Sequence, residues 1–115
     1  MNLTSFCCVP QELEHIDISY NELTGPVLPG LFELPKLSEV YLQRNFLTGW
    51  VPSTACASSC LRALSLEKNL LTGDPPSGWG SQLEELRLHG NKFTDSSVAR
   101  TRLRAELPED CDVTV

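Results

Sequence analysis

Long apolar runs are missing from this sequence of 115 residues. Its charge-free stretches are short and broken by polar residues, well below the roughly 18 apolar residues a membrane helix needs. No membrane segment is expected in this chain, although a longer parent protein could still be membrane-anchored. Positive charge is also in deficit: 9 Lys plus Arg stand against 15 Asp plus Glu, for a formal net charge of −6. Such a balance repels polyphosphate unless basic residues gather on one face, so no nucleic-acid partner is expected. Met1 to Pro10 lack a basic cluster followed by an apolar core, so no secretory signal is read and the chain as written would stay cytoplasmic. The cysteines (Cys7, Cys8, Cys56, Cys60 and Cys111) number 5, which leaves one thiol free if every bridge is internal and gives no compartment. Hydrophobic residues at 41% and charged ones at 21% are ordinary globular usage, which excludes disorder along the whole length. The length allows one small domain, with no room for a catalytic domain beside a separate binding domain.

What is present is a repeat. Leu13 to Gly25 reads LEHIDISYNELTG, Leu37 to Gly49 LSEVYLQRNFLTG, Leu61 to Gly73 LRALSLEKNLLTG, and Leu83 to Asp95 LEELRLHGNKFTD. Residues of the type L-x-x-(I/V/L)-x-(I/L)-x-x-N-x-(L/F)-T-(G/D) recur in all of them, with the asparagines at Asn21, Asn45, Asn69 and Asn91. A fixed period in this range signals a solenoid.

Each position has a physical reading. The alternation in Ile16-Asp17-Ile18, Val40-Tyr41-Leu42, Leu64-Ser65-Leu66 and Leu86-Arg87-Leu88 describes a short strand with one buried face. So short a strand cannot stand alone, but strands one repeat apart can stack in parallel and bury a continuous apolar column. The asparagines fall where the chain leaves the strand, where an amide can both donate and accept, so a ladder of them would satisfy backbone groups between coils. Leu23, Leu47, Leu71 and Phe93 then return to the core, and Gly25, Gly49 and Gly73 allow a bend that a Cβ would penalise. The remainder of each coil, such as Trp50 to Ser59, has turn formers and little helical periodicity, and reads as irregular or 3₁₀ backbone.

These residues resemble the plant-type leucine-rich repeat, L-x-x-L-x-L-x-x-N-x-L-T-G-x-(I/V)-P. Trp50-Val51-Pro52 completes the motif in the second copy and Asp74-Pro75-Pro76 nearly does in the third, whereas the first has Leu28 where the proline belongs. The fourth copy ends Thr94-Asp95 without Gly or Pro, and the third coil is two residues short. The resemblance implies an α/β fold: a curved horseshoe segment with a short-stranded parallel sheet on its concave face and irregular or 3₁₀ segments on its convex face. It also implies kinship with receptor-like proteins of the cell surface and a part in signalling. Under that implication the chain would be a fragment located at the cell surface or outside the cell.

The expected organisation is a remnant of a preceding repeat over 1–12, four repeats over 13–95 starting at 13, 37, 61 and 83, and a terminal segment over 96–115. In that last segment Ala99, Leu103 and Leu107 recur at four-residue steps, which suggests a short amphipathic helix ended by Pro108. Cys111 to Val115 alternates again and reads as the strand of a last half-repeat. No amino-terminal cap is evident, so marginal stability or self-association through that end is expected.

The exposed positions of four stacked strands form columns: His15, Glu39, Ala63 and Glu85; Asp17, Tyr41, Ser65 and Arg87; Ser19, Gln43, Glu67 and His89; Tyr20, Arg44, Lys68 and Gly90. Acids and bases nearly cancel there, which suits a mixed polar partner. The candidate contact residues for a protein or peptide are Asp17, Tyr20, Tyr41, Arg44, Glu67, Lys68, Arg87 and His89, with Tyr and Arg as anchors because both are enriched in interface hot spots. The competing reading is a polar outer face without a partner of its own, in a structural or cytosolic scaffold or a gene fragment.

Catalysis is not expected. His15 and His89 stand in different columns three repeats apart, no Ser or Cys has a nucleophile motif around it, and the coil itself explains Gly25, Gly49 and Gly73. No cofactor is implied. Cys56-x-x-x-Cys60 could pack, bridge or bind metal; packing ranks first because Cys56 aligns with Phe32, a bridge second, and metal last because no further ligands are near. Asn2-Leu3-Thr4 fits the glycosylation sequon but matters only on secretion. Arg100, Arg102 and Arg104 lie beside Glu106, Glu109, Asp110 and Asp112 and read as a solvated face.

Overall fold

The computed structural model describes residues 12–115. In chain order its elements are β1 (His15–Asp17), β2 (Thr24–Pro26), a 3₁₀ turn (Pro29–Glu33), β3 (Glu39–Tyr41), β4 (Phe46–Thr48), α1 (Ser53–Ala57), β5 (Ala63–Ser65), β6 (Thr72–Gly73), β7 (Glu85–Arg87), β8 (Lys92–Phe93), α2 (Ser96–Glu106) and β9 (Asp112–Thr114). The odd-numbered strands form one parallel sheet in the order β1-β3-β5-β7-β9, so each coil contributes one strand. The fold is a leucine-rich-repeat solenoid with this sheet on its concave face.

Register follows from burial. Ile16, Val40, Leu64, Leu86 and Val113 align across the sheet and all point inward. Slipping any strand by one residue would bring an outward residue such as Tyr41 or Arg87 into the core, so only one register is compatible with the pattern. Behind this column lie Leu42, Leu66 and Leu88, then Leu47 and Leu71, all at 0% exposure. Each contributes roughly 1.5–3 kcal/mol by leaving water, and none could do so without the coils above and below it. Gly25, Gly49 and Gly73 take φ of 84°, 82° and 78°, the left-handed region in which an L side chain is strained, and there the chain turns away from the strand.

Past the asparagines the chain makes a second set of parallel pairings that the sequence reading did not include. β2 pairs with β4 and β6 with β8. Leu70 N–H to Leu47 O at 2.8 Å and Thr72 N–H to Gly49 O at 2.7 Å join the two ribbons along the flank.

The convex side differs in part from the reading of irregular or 3₁₀ backbone over Trp50 to Ser59. The first coil has a 3₁₀ turn at Pro29–Glu33, but the second forms one α-helical turn at Ser53–Ala57. Pro52 supplies an extended residue at its start, and Ala55 and Ala57 favour helix where two leucine-sized groups are not needed. The cysteine reading is also corrected in part. Cys56 packs half-buried against the core, but Cys60 is exposed, its Sγ 3.2 Å from the carbonyl of Pro35; both thiols and that of Cys111 are free. Residue 60 comes after the helical turn has ended, where the chain runs over the surface before Leu61 turns inward.

At the carboxyl end Asp95 caps α2 by accepting from the N–H of Val98, and Ala99, Leu103 and Leu107 cover the last coil. Glu106 accepts from the N–H of Trp79 at 3.0 Å and from that of Gly78, tying the helix to the third coil. β9 then adds a fifth strand beside β7. The expected remnant of a preceding repeat, with Cys7, Cys8, Pro10 and the sequon at Asn2, falls on residues outside those described, as does the amino end on which self-association was reasoned. Among the described residues no helix is long and apolar enough to cross a membrane, and no group of His, Cys, Asp and Glu is placed to hold a metal ion.

Candidate functional site

The concave sheet is held rigid from beneath by the asparagines. Asn45 Oδ1 accepts from Leu23 N–H at 3.0 Å, Asn69 Oδ1 from Leu47 N–H at 3.1 Å and Asn91 Oδ1 from Leu71 N–H at 3.0 Å, each in the preceding coil. Their Nδ2 groups donate to two coils at once: Asn69, for example, reaches Leu42 O at 3.1 Å and Leu66 O at 3.0 Å. Asn21 donates to Ile18 O and Ser19 O of its own coil.

Just before each asparagine the backbone turns left-handed: Tyr20, Arg44 and Lys68 have φ of 59°, 57° and 57°, and Gly90 has 72°. These residues form the rim of the sheet, not its face. The rim holds three of the candidates. Arg44 lies over the Tyr20 ring at 5.2 Å from its centroid, a cation–π pair, while Tyr20 stays 69% exposed. Lys68 is exposed beside Gly90, which has no side chain with which to continue the row.

The other candidates lie on the face and are engaged in contacts there. Asp17 accepts from the Ser19 hydroxyl at 2.6 Å and the Ser19 N–H at 3.1 Å, and these two bonds hold its carboxyl below the ordinary value. The Tyr41 ring meets His15 at 5.4 Å, and His15 Nδ1 is 2.7 Å from Glu39. Arg87 is bound by both Glu85 and Asp112, first by the bond to Glu85, which raises its affinity for its proton. His89 Nδ1 is 2.7 Å from the Thr114 hydroxyl and its Nε2 is 3.4 Å from Glu67. The structure thus divides the eight candidates into a rim group of Tyr20, Arg44 and Lys68 and a face group of Asp17, Tyr41, Glu67, Arg87 and His89.

Sequence reasoning placed Ala63 and Ser65 in the columns without giving them a role, and they are what sets this face apart. They occupy the outward row of β5, with Glu39 and Tyr41 on one side and Glu85 and Arg87 on the other. Being short, they form a floor beneath two ranks of longer side chains, which cover it; Ala63 is 6% and Ser65 2% exposed. The buried Gln43 Oε1, on the same face two residues beyond Tyr41, has no hydrogen-bond partner among the described residues. Negative charge gathers over this floor, from Glu39, Glu67 and Glu85. Tyr41 registers it: burial first, then Glu39, Glu85 and Asp17, push its phenol above the ordinary value, with Arg87 opposing. The signal in the sequence was a drop in size at two consecutive outward positions of one repeat.

Residues 12–34 match the family model described as Leucine Rich Repeat. The LRR receptor-like serine/threonine-protein kinase GSO2 of Arabidopsis thaliana is 37% identical over 81 residues, 70% of this chain and 6% of that protein. Among solved structures, the LRR ectodomain of the plant membrane receptor kinase GASSHO1/SCHENGEN3 from Arabidopsis thaliana, in complex with CASPARIAN STRIP INTEGRITY FACTOR 2, aligns with a TM-score of 0.68 at 30% identity. That alignment covers 72% of this chain and 10% of that one. The Arabidopsis receptor kinase HAESA ectodomain, in complex with an IDA peptide hormone ligand, aligns at 0.69 and 25% identity, over 79% of this chain and 16% of that one. The chain therefore spans only a small part of the length of the proteins it matches.

Proposed function

This chain is a plant-type leucine-rich-repeat protein similar to receptor-like proteins, and on that footing we propose that it is a non-catalytic recognition module whose concave sheet binds a peptide or an extended protein segment. The observation that carries the reading is the in-register stack of five parallel strands, which turns the outward residues of distant repeats into one continuous polar face. A rigid face presents side chains at small conformational cost, which is what makes contact energy available for binding. The Tyr20–Arg44 pair on the rim and Tyr41 on the face are the residue types that dominate interface energetics. That the HAESA ectodomain is solved with a peptide hormone supports peptides over other ligands. By the same likeness the module works at the cell surface, as part of a receptor-like protein.

The test is selection of peptides from a random displayed library on the folded 115-residue chain. Selected peptides are then remeasured against Tyr20→Ala combined with Arg44→Ala, with Thr54→Ala on the convex side as control. Loss of about tenfold or more in affinity in the double variant alone is expected. Equal binding to all three proteins would take recognition off the Tyr20–Arg44 rim, and equal binding to Tyr41→Ala as well would place it off the concave side and refute the reading.

A further inference from the structure

Resting on the reading that this module binds peptides, we propose that the rim of the sheet and the flank ribbon beside it form one amphipathic strip. The strip takes an extended peptide that carries one large apolar residue and two acidic residues at alternate positions.

Backbone register builds the strip. The N–H groups of Tyr20, Arg44 and Lys68 donate to Gln43 O, Glu67 O and His89 O of the next coil at 3.0, 3.0 and 2.9 Å, which sets these residues in one row along the rim. Two residues on, the N–H groups of Phe46, Leu70 and Lys92 donate to the leucine carbonyls of the preceding coil, Leu23, Leu47 and Leu71, each at 2.8 Å, and form a second row on the flank. Between the rows Asn45 and Asn69 turn inward, each 4% exposed and bonded to two coils. The side chains of both rows thus project from a backbone that is already fixed, which lowers the conformational cost of binding.

Two independent properties set the strip apart. The first is apolar exposure. Tyr20, Phe46 and Leu70, at 69%, 51% and 37%, are three of the five large hydrophobic side chains exposed among the described residues. A shallow cavity of about 620 Å³ opens between Tyr20 and Phe46, with Asn21, Glu22 and Leu23 completing its walls. The second is unpaired positive charge. Other cations near the sheet are engaged: Lys36 with Glu12, Arg62 with Glu84, and Arg87 with Glu85 and Asp112. Arg44, Lys68 and Lys92 have no carboxylate partner among the described residues, although the chain carries a net charge of −6. Arg44 is held in place by the Tyr20 ring alone, with its N–H donors open. The Lys68 stem lies across Gly90, where a Cβ would come within 2.9 Å of its Cγ, so the side chain leans toward the coil of Lys92.

These features come in a fixed order along the array: the aromatic cavity at the first two coils, then Arg44 and Lys68, then Lys92. Coils follow at about 4.8 Å, so roughly 12 Å separates the cavity from Lys92, and alternate residues of an extended chain lie about 6.7 Å apart. An apolar residue and two acids at i, i+2 and i+4 therefore match the order and span the length. Carboxylates complement the three cations, and each pair forms a charge-assisted hydrogen bond. A basic segment would be repelled, and a purely apolar one would bring the cations against nothing that answers their charge.

The probe is a capped heptapeptide, Gly-Phe-Ser-Glu-Ser-Glu-Gly, titrated to millimolar concentration into the full ¹⁵N-labelled chain. Parallel titrations replace both glutamates by glutamine, or the phenylalanine by glycine. Saturable amide shifts at Arg44, Phe46, Lys68, Leu70 and Lys92 are expected, with the glutamate peptide binding about fivefold tighter than the glutamine one. Lys68→Gln combined with Lys92→Gln should erase that preference, and Phe46→Ser should erase the advantage of phenylalanine over glycine. Unchanged shifts of Leu64 and Leu86 check the fold of both variants, which alter exposed side chains only. Equal binding of the glutamate and glutamine peptides would overturn the acidic specificity. Shifts confined to Tyr41 and Ser65 on the sheet, or to Arg100 and Arg104 on α2, would overturn the strip. Those results leave peptide recognition standing. If no peptide, including those selected from the library, moves any residue of the strip or the sheet, peptide recognition fails as well.

Discussion

The asparagine ladder makes a quantitative prediction, because its rungs overlap unequally. Asn69 is 4% exposed, and truncating it to alanine strands the N–H of Leu47, whose acceptor is Asn69 Oδ1. Leu42 O still receives Asn45, and Leu66 O still receives Asn91, so those carbonyls lose one of two donors. One buried unsatisfied N–H at about 1–3 kcal/mol and two lost bonds at about 1 kcal/mol each sum to roughly 3–5 kcal/mol. Asn21→Ala removes only bonds to Ile18 O and Ser19 O at an exposed position, and Ile18 O keeps Asn45, so about 0.5–1 kcal/mol is expected there. Asn91 falls between: its loss strands Leu71 N–H and takes from Leu88 O the donor that no neighbouring rung replaces, in half-buried surroundings.

Urea unfolding followed by Trp79 fluorescence measures these differences, since Trp79 is 6% exposed whereas Trp50 is 70% exposed and changes little. With a denaturant slope of about 2 kcal/mol per molar, Asn69→Ala should lower the midpoint by roughly 2 M and Asn21→Ala by less than about 0.5 M. A chain of this size has about 5–15 kcal/mol in total, so the first variant approaches the limit of folding. Equal shifts for Asn69→Ala and Asn21→Ala would refute the reasoning, because they would mean that bonding between coils adds nothing to bonding within one.

Other expectations are read from single residues. At pH 8, mass mapping of iodoacetamide adducts should find exposed Cys60 modified well before Cys111, whose thiol is pushed up to about 11, by burial first and then by Asp112 and Asp110, leaving about a thousandth as thiolate. Raising the pH should narrow that gap, and equal rates at pH 8 would contradict the assignment. Gly90→Ala should destabilise by about 1–2 kcal/mol, since φ is +72° and the new Cβ would lie 3.1 Å from Lys68 N. Lys68→Gly, which relieves a φ of 57° without crowding, should cost nothing or stabilise by up to about 1 kcal/mol; thermal midpoints of the pair decide. Asp17, held down by Ser19, contributes stability that is present above the ordinary carboxylate value and lost as pH falls through its lower folded one. Its carboxyl resonance should therefore titrate below about pH 3.9 and move back up in Ser19→Ala.

The core was legible in the sequence because every coil repeats the same demand. Leu37, Leu61 and Leu83, or Leu47 and Leu71, are each buried by their counterparts one turn away, so the period alone identifies them. The flank ribbons were not legible: strands of two or three residues such as Thr72–Gly73 carry no alternation long enough to read, and exist because the Leu and Gly carbonyls of one coil face the N–H groups of the next. The α-turn at Ser53–Ala57 was missed for a related reason. Five residues hold too little periodicity to separate α from 3₁₀, and the choice falls to the packing of Ala55 against the first coil. The free, exposed state of Cys60 depended on where the turn ended, which spacing cannot fix.

The site obeys the opposite rule. Repetition forces the inward positions to agree, so whatever distinguishes one repeat protein from another is carried by outward positions that depart from their columns. Column membership is visible in the sequence, but contacts within a column are not: Arg87 reads as a free anchor until the strand at Asp112 places a carboxylate beside it. Likewise Tyr20, Arg44 and Lys68 read as face residues until their positive φ moves them to the rim. What survives both corrections is the row in which side chains become short and an acceptor beside it goes unpaired. There Ala63 and Ser65 lie beneath the longer side chains of β3 and β7, and the buried Gln43 Oε1 has no partner among the described residues, which no demand of the repeat explains.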